Sequence, residues 1–246
     1  KPWMWEIAWM WFNEQKLFIK KSRQMMVTWL ILACELWNAQ FHRGKRVAIQ
    51  SKKETDADNL LKRMWTIYEN QPVWLKQEGA DAVFCEIRFP AFQSVIMGIA
   101  QGPHQLRQFT FSRIFSDELG FQDSAKEAYG ASKPTVDGGG YYTAVSSAIP
   151  GFFEDMWQDD IDVLEVPELL SAAIGPKENP YEGFMIPAKR NRTGILAAGF
   201  LHYSMDPDKD PATPKGAQWI SEAKRGDTKG NWEQEMEGNA GALAGQ

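Results

Sequence analysis

Cysteine is nearly absent from this 246-residue chain, which has only Cys34 and Cys85. They stand far apart within apolar stretches, which excludes a disulfide framework and leaves two buried free thiols as the expectation. Three histidines scattered at 42, 104 and 202 exclude closely spaced zinc ligands as well. No apolar run approaches the roughly 18 residues that a membrane-spanning helix needs, and the opening Lys1-Pro2-Trp3-Met4-Trp5-Glu6 has no cleavage-like site. A soluble chain in a reducing compartment, with no membrane partner, is the expectation. Positive charge is not in excess either: 27 Lys and Arg stand against 32 Asp and Glu, a net charge of -5. That excludes a generally basic nucleic-acid coat and leaves room for a local basic face.

What the chain does have is an ordinary globular balance, 43% hydrophobic and 24% charged, with eleven Trp and fourteen Phe. Its length suits one large domain, or a core with a small appendage. Residues 3–12 repeat apolar side chains at helical spacing. Leu17-Phe18-Ile19 has the length of a buried strand, and residues 29–41 read as a helix stopped at Gly44. Arg46 to Gln50 reads as a strand, and Thr55 to Glu69 as an amphipathic helix. Two short runs, 87–89 and 94–99, flank Pro90-Ala91 as a hairpin would. Residues 109–115 and 141–145 are further strands on either side of a helix at 123–132, and Pro134 and Gly138-Gly139-Gly140 break the chain between the last two. Strands alternating with helices predict an α/β fold with a mostly parallel sheet. Prolines from Pro176 and Pro180 onward mark a composition shift near 176. The expected division is a core over 1–188 and a smaller lid or linker over 189–246, with a frayed tail after Gly238.

Three strand ends carry chemistry. Lys21-Ser22-Arg23-Gln24-Met25-Met26-Val27-Thr28 links a strand to a helix, the arrangement that wraps backbone N–H groups around phosphates. It lacks the Gly-x-x-x-x-Gly-Lys-Ser/Thr pattern, so taken alone it also reads as a basic surface turn. Arg113-Ile114-Phe115-Ser116 runs into Asp117-Glu118, an apolar strand ending in two carboxylates that could hold Mg²⁺ and orient water; a helix-capping acid is the plainer alternative. Thr143-Ala144-Val145 ends in Ser146-Ser147, hydroxyls able to sense a γ-phosphate or simply to close a strand. Together the three would converge at the carboxyl edge of one open sheet, where such folds bind ligands.

These segments resemble the large terminase family of tailed bacteriophages over about residues 1–235, most strongly at 17–29, 46–75 and 94–152. The resemblance implies a P-loop NTPase domain of the RecA-like type that binds ATP and Mg²⁺. In many members the phosphate-loop lysine opens the loop, as Lys21 does here, with Lys20 as an alternative. The family keeps a glycine where Met26 stands. The resemblance assigns residues 21–28 to nucleotide, Thr28 and Asp117 to Mg²⁺, Glu118 to the attacking water, and Ser146 and Ser147 to coupling. It gives Arg23 a role at the γ-phosphate in cis and Arg107 one in a neighbouring subunit's site. Trp3, Trp5 and Trp9 lie where adenine contacts occur, although an aromatic helix also suits a core. The implied activity is ATP-driven translocation of double-stranded DNA into a procapsid in the host cell cytoplasm. The implied partners are a portal protein, a small terminase subunit and further copies in a ring. Phe200-Leu201-His202-Tyr203 resembles the strand leading toward a nuclease domain, which is expected to be absent from this chain. A helicase-like ATPase and a silent binding module are the alternatives. Lys45, Arg46, Lys52 and Lys53 suit either DNA phosphates or a solvated face.

Overall fold

A computed structural model of the chain describes residues 1–158 and 181–243; the composition shift near 176, with Pro176 and Pro180, lies outside them, as do the last three residues of the tail. Helix α1 (Pro2–Asn13) precedes strand β1 (Lys16–Lys21), helix α2 (Val27–Phe41), strand β2 (Arg46–Ser51) and helix α3 (Glu54–Glu69). The hairpin β3 (Asp81–Val83) and β4 (Glu86–Phe89) leads into β5 (Ser94–Ala100), and a short helix α4 (Pro103–Gln108) precedes β6 (Arg113–Asp117). Helices α5 (Ala125–Ala131) and α6 (Lys133–Asp137) connect to β7 (Tyr141–Ser146), followed by α7 (Phe152–Gln158). After the undescribed segment come β8 (Ala188–Arg190), β9 (Leu196–Leu201), α8 (Pro214–Lys224) and α9 (Lys229–Glu235).

Among the described residues, nine strands form one sheet in the order β3-β4-β5-β2-β6-β7-β1-β9-β8. The six from β5 to β9 are parallel, and antiparallel strands close both edges. Parallel strands must be covered on both faces, and the period-two pattern of β1 shows how this is met. Leu17 and Ile19 join the core under α1, α2 and α3, while Phe18 joins the opposite core with Tyr129, Tyr142 and Phe153. Phe18 stacks on Phe153 at 5.5 Å.

The strand expected at 109–115 starts later, at Arg113, because 103–108 form α4 with Pro103 in its first turn. The division expected between 188 and 189 runs through the sheet: β9 pairs with β1 from Leu17↔Leu196 onward. The cause is a short apolar run in which Ile195, Leu196, Ala197, Ala198 and Leu201 are all buried. Beyond it, α8 and α9 are capped by Thr213 and Thr228, whose hydroxyls accept from Gly216 N and Asn231 N. Tyr203 packs against Trp219 at a tilt and edge-on against Trp232, which ties these helices to the core. No described helix is long and apolar enough to cross a membrane, and both cysteines are free.

Candidate functional site

A cleft of about 1020 Å³ opens at the carboxyl ends of the parallel strands. Its floor is made by β1, β6 and the start of α2. Alternation along β1 separates two neighbouring lysines. Lys21 shares the parity of Leu17 and Ile19 and enters the cleft, where its Nζ lies 3.0 Å from Glu118 Oε1. Lys20 projects to the other face, donates to Glu154 Oε1 at 2.6 Å and sits over Trp157. Lys20 is thus committed to a buried ion pair, which leaves Lys21 as the strand lysine of the cleft.

The loop between β1 and α2 is held from outside the motif. Ser22 is fully buried; its hydroxyl donates to Met236 O and accepts from Tyr203 N. Ser22 therefore does not line the cleft, contrary to its placement among the nucleotide contacts. Arg23 lines it, but its guanidinium is 2.9 Å from Glu235 Oε2. Gln24 and Met26 both have left-handed backbones, at φ 61 and φ 60, and Lys209 Nζ donates to Gln24 O. Met26 supplies without a glycine the conformation for which glycine is normally chosen. It stands at the N-cap of α2 and offers no side-chain cap. The first N–H groups of α2 are free of intrahelical partners and, together with the positive end of the helix dipole, form a site for an anion.

Thr28, in the first turn of α2, donates from Oγ1 to Asp117 Oδ1 at 2.8 Å. Burial pushes the Asp117 carboxyl up to about 6, and the adjacent Glu118 charge adds to this; Thr28, Lys21 and Arg63 oppose it. Glu118 has a left-handed backbone at φ 49, which turns its carboxylate back between Lys21 and Ser147 Oγ, 3.5 Å from Oε2. Ser146 Oγ accepts from Gly120 N. A side chain at Gly120 would stand 2.3 Å from Ile149, so glycine permits the close approach of β7 to the turn after Glu118. Lys21, Thr28, Asp117, Glu118 and Ser147 are thereby brought together from three strand ends.

Other expected residues fall elsewhere. Arg107 is exposed on α4, outside the cleft lining. Trp3 is fully buried in the core, while Trp5 is 81% exposed; none of Trp3, Trp5 and Trp9 lines the cleft. Arg46 packs against Phe109, and Lys52 faces Asp123 at 3.9 Å.

Sequence reasoning did not identify the opposite wall, built from Asp206, Asp208, Lys209, Lys215 and Trp219, nor Arg63 of α3. These residues carry no motif, and their distance along the chain hides them.

Oxygen donors suit a hard cation such as Mg²⁺. The Thr28 hydroxyl beside a carboxylate that burial and a second acid make costly to ionise is a fitting place for one. Among the described residues no group of three or more His, Cys, Asp or Glu forms a metal cage. Mg²⁺ bound chiefly through phosphates and water does not require one.

No protein-family model matches the chain. No curated protein matches it in sequence. Solved structures do resemble it. The large terminase ATPase domain of Thermus phage P74-26 is 13% identical with a TM-score of 0.59, over 94% of this chain and 92% of that one. The large terminase of a thermophilic bacteriophage, in complex with ADP, is 11% identical with a TM-score of 0.59, over 96% of this chain and 52% of that one. The large terminase of bacteriophage HK97 is 12% identical with a TM-score of 0.57, over 97% and 50%. The chain spans about half the length of the last two. It has the fold of phage large terminase ATPase domains, a mostly parallel sheet flanked by helices.

Proposed function

We propose that this chain is the ATPase motor domain of a phage-type large terminase. It would hydrolyse ATP with Mg²⁺ to move double-stranded DNA into a procapsid in the host cytoplasm. The observation that carries the reading is the meeting of Lys21, Thr28, Asp117 and Glu118 in one cleft at the strand ends, within that fold.

Lys21 and the α2 N-terminus would bind the β- and γ-phosphates, and an incoming phosphate competes with Glu118 for the Lys21 ammonium. Thr28 Oγ1 and Asp117 Oδ1 would hold Mg²⁺, which when bound neutralises charge on the phosphate oxygens. Released from Lys21, Glu118 accepts a proton from the attacking water as its oxygen bonds to the γ-phosphorus. The bond from that phosphorus to the β,γ-bridging oxygen breaks, leaving ADP and phosphate. Ser147, within reach of Glu118, would report the state of that carboxylate to β7. Arg107, exposed on α4, is available to a neighbouring copy in a ring, and a portal protein and a small terminase subunit are the proposed partners on DNA.

Mg²⁺-dependent phosphate release tests the reading. Glu118→Gln is expected to lower turnover by about 10²–10⁴-fold, the range for a general base, while nucleotide binding persists. Unchanged turnover would remove Glu118 from the mechanism. Nucleotide binding by the unsubstituted chain, with no turnover even in the assembled ring, would favour a silent binding module.

A further inference from the structure

Among the described residues, six cationic side chains line the cleft: Lys1, Lys21, Arg23, Arg63, Lys209 and Lys215. Five already face a carboxylate. Lys1 pairs with Asp206, Lys21 with Glu118, Arg23 with Glu235, Lys209 with Asp206 and Lys215 with Asp208. Among the described residues, no carboxylate lies within ion-pair distance of Arg63. The reason is legible along α3. Lys62 has Asp58 one turn back, at 2.8 Å, whereas the helical neighbours of Arg63 are the uncharged Asn59, Leu60, Thr66 and Ile67.

What Arg63 has instead is a ring. Its Cζ lies 5.9 Å from the centre of Trp29, the residue after Thr28, which is within cation–π range. That contact holds the guanidinium beside the α2 N-terminus without neutralising it. Its field reaches Asp117, where it opposes the effect of burial. A planar cation without a described ion-pair partner, lining the same cleft as the hydroxyl–carboxylate pair, can receive an anion through two parallel hydrogen bonds.

We propose that Arg63 is a ligand of the γ-phosphate, supplied in cis by the helix after β2. The proposal rests on the nucleotide reading of the cleft. Arg23 would first have to leave Glu235, 2.9 Å away, and Arg107 lies outside the lining, whereas Arg63 has no carboxylate to leave among the described residues. Arg63 therefore distinguishes triphosphate from diphosphate.

Calorimetric titration with Mg²⁺ and either ADP or the β,γ-imido analogue of ATP tests this on the full chain and on Arg63→Ala and Arg63→Lys. The alanine variant is expected to lose affinity for the triphosphate analogue by at least about tenfold, the worth of a charged hydrogen bond. Its ADP affinity is expected to stay within about twofold, and the lysine variant should fall between. Arg63 is exposed, so an unchanged melting temperature is expected to accompany the loss. Equal weakening of both nucleotides, or of neither, overturns the proposal. If the unsubstituted chain binds neither nucleotide, the reading of the cleft itself has failed, a result separate from any change at Arg63.

Discussion

Strand β6 carries a charged side chain at each end, and the two ends are treated in opposite ways. At its start, buried Arg113 lies over the Trp11 ring at 3.7 Å and the Tyr141 ring at 4.1 Å. It donates from Nε to Glu35 Oε1 and from Nη2 to Trp11 O. Glu35 is fully buried, which raises its pKa, while Arg113 and the Trp11 indole N–H pull it back down. At the end of the same strand, Asp117 is also buried, but the charge that acts on it most is another carboxylate, Glu118, and its close donor is a hydroxyl. One acid has been given a cation. The other has been left needing one, which is how a structural ion pair differs from a site that waits for a ligand.

Substitutions at the two ends should therefore change stability with opposite sign. Arg113→Ala is expected to cost about 3–5 kcal/mol, because Glu35 is left buried without its counter-charge. Urea unfolding at pH 7 measures this, and a loss below about 1 kcal/mol would show that Glu35 does not depend on Arg113. Asp117→Asn is expected to stabilise the metal-free protein. The Asp117 carboxyl is carried from its ordinary 3.8 to about 6 in the fold, which corresponds to about 3 kcal/mol against folding at pH 7.

The sign of the pH dependence follows from the same shift. Below about pH 4 the acid is protonated in both states and costs nothing. As pH rises toward 6 and beyond, the unfolded chain ionises freely while the folded site resists. Stability from this group is thus lost between about pH 4 and pH 6, and Asp117→Asn should flatten that part of the curve. Adding Mg²⁺ with nucleotide should stabilise the unsubstituted protein and not the variant. Equal stability of the two proteins at pH 5 and pH 8 would show that the carboxylate is no burden.

Much of this contrast was legible in the sequence, and the gaps have physical causes. Apolar runs of strand length, each ending in polar chemistry, disclosed β1, β6 and β7 because a parallel strand must be apolar on both faces. The resemblance named Thr28 and Asp117 together, and the hydrogen bond between them needed α2 set beside the end of β6. Strand β9 (Leu196–Leu201) overlaps the 200–203 segment that resembled a strand, but its start at Leu196 was missed because the prolines around it read as a linker. The choice between Lys20 and Lys21 needed the register of β1, since one residue's shift exchanges the faces. Arg63 looks like any surface charge of an amphipathic helix until α3 is set beside α2. The wall around Trp219 lies too far along the chain for spacing to reveal it.

The backbone repeats the lesson on a smaller scale. Five described non-glycine residues have positive φ, and three of them, Gln24, Met26 and Glu118, surround the cleft, whereas Arg113, Glu35 and Trp11 show none. A left-handed backbone costs an ordinary residue about 1–2 kcal/mol, and glycine avoids that cost while losing about 0.5–1 kcal/mol through its freer unfolded chain. At Met26 the side chain is 51% exposed, so little packing is forfeited on its removal. Met26→Gly should therefore stabilise the protein by about 0.5–1 kcal/mol, a rise of about 1–4 °C in Tm for a chain of this size, with ADP affinity retained. A fall in Tm would mean that the methionine side chain anchors the loop, and that the functional end of β1 and β6 is held by packing rather than carried as strain.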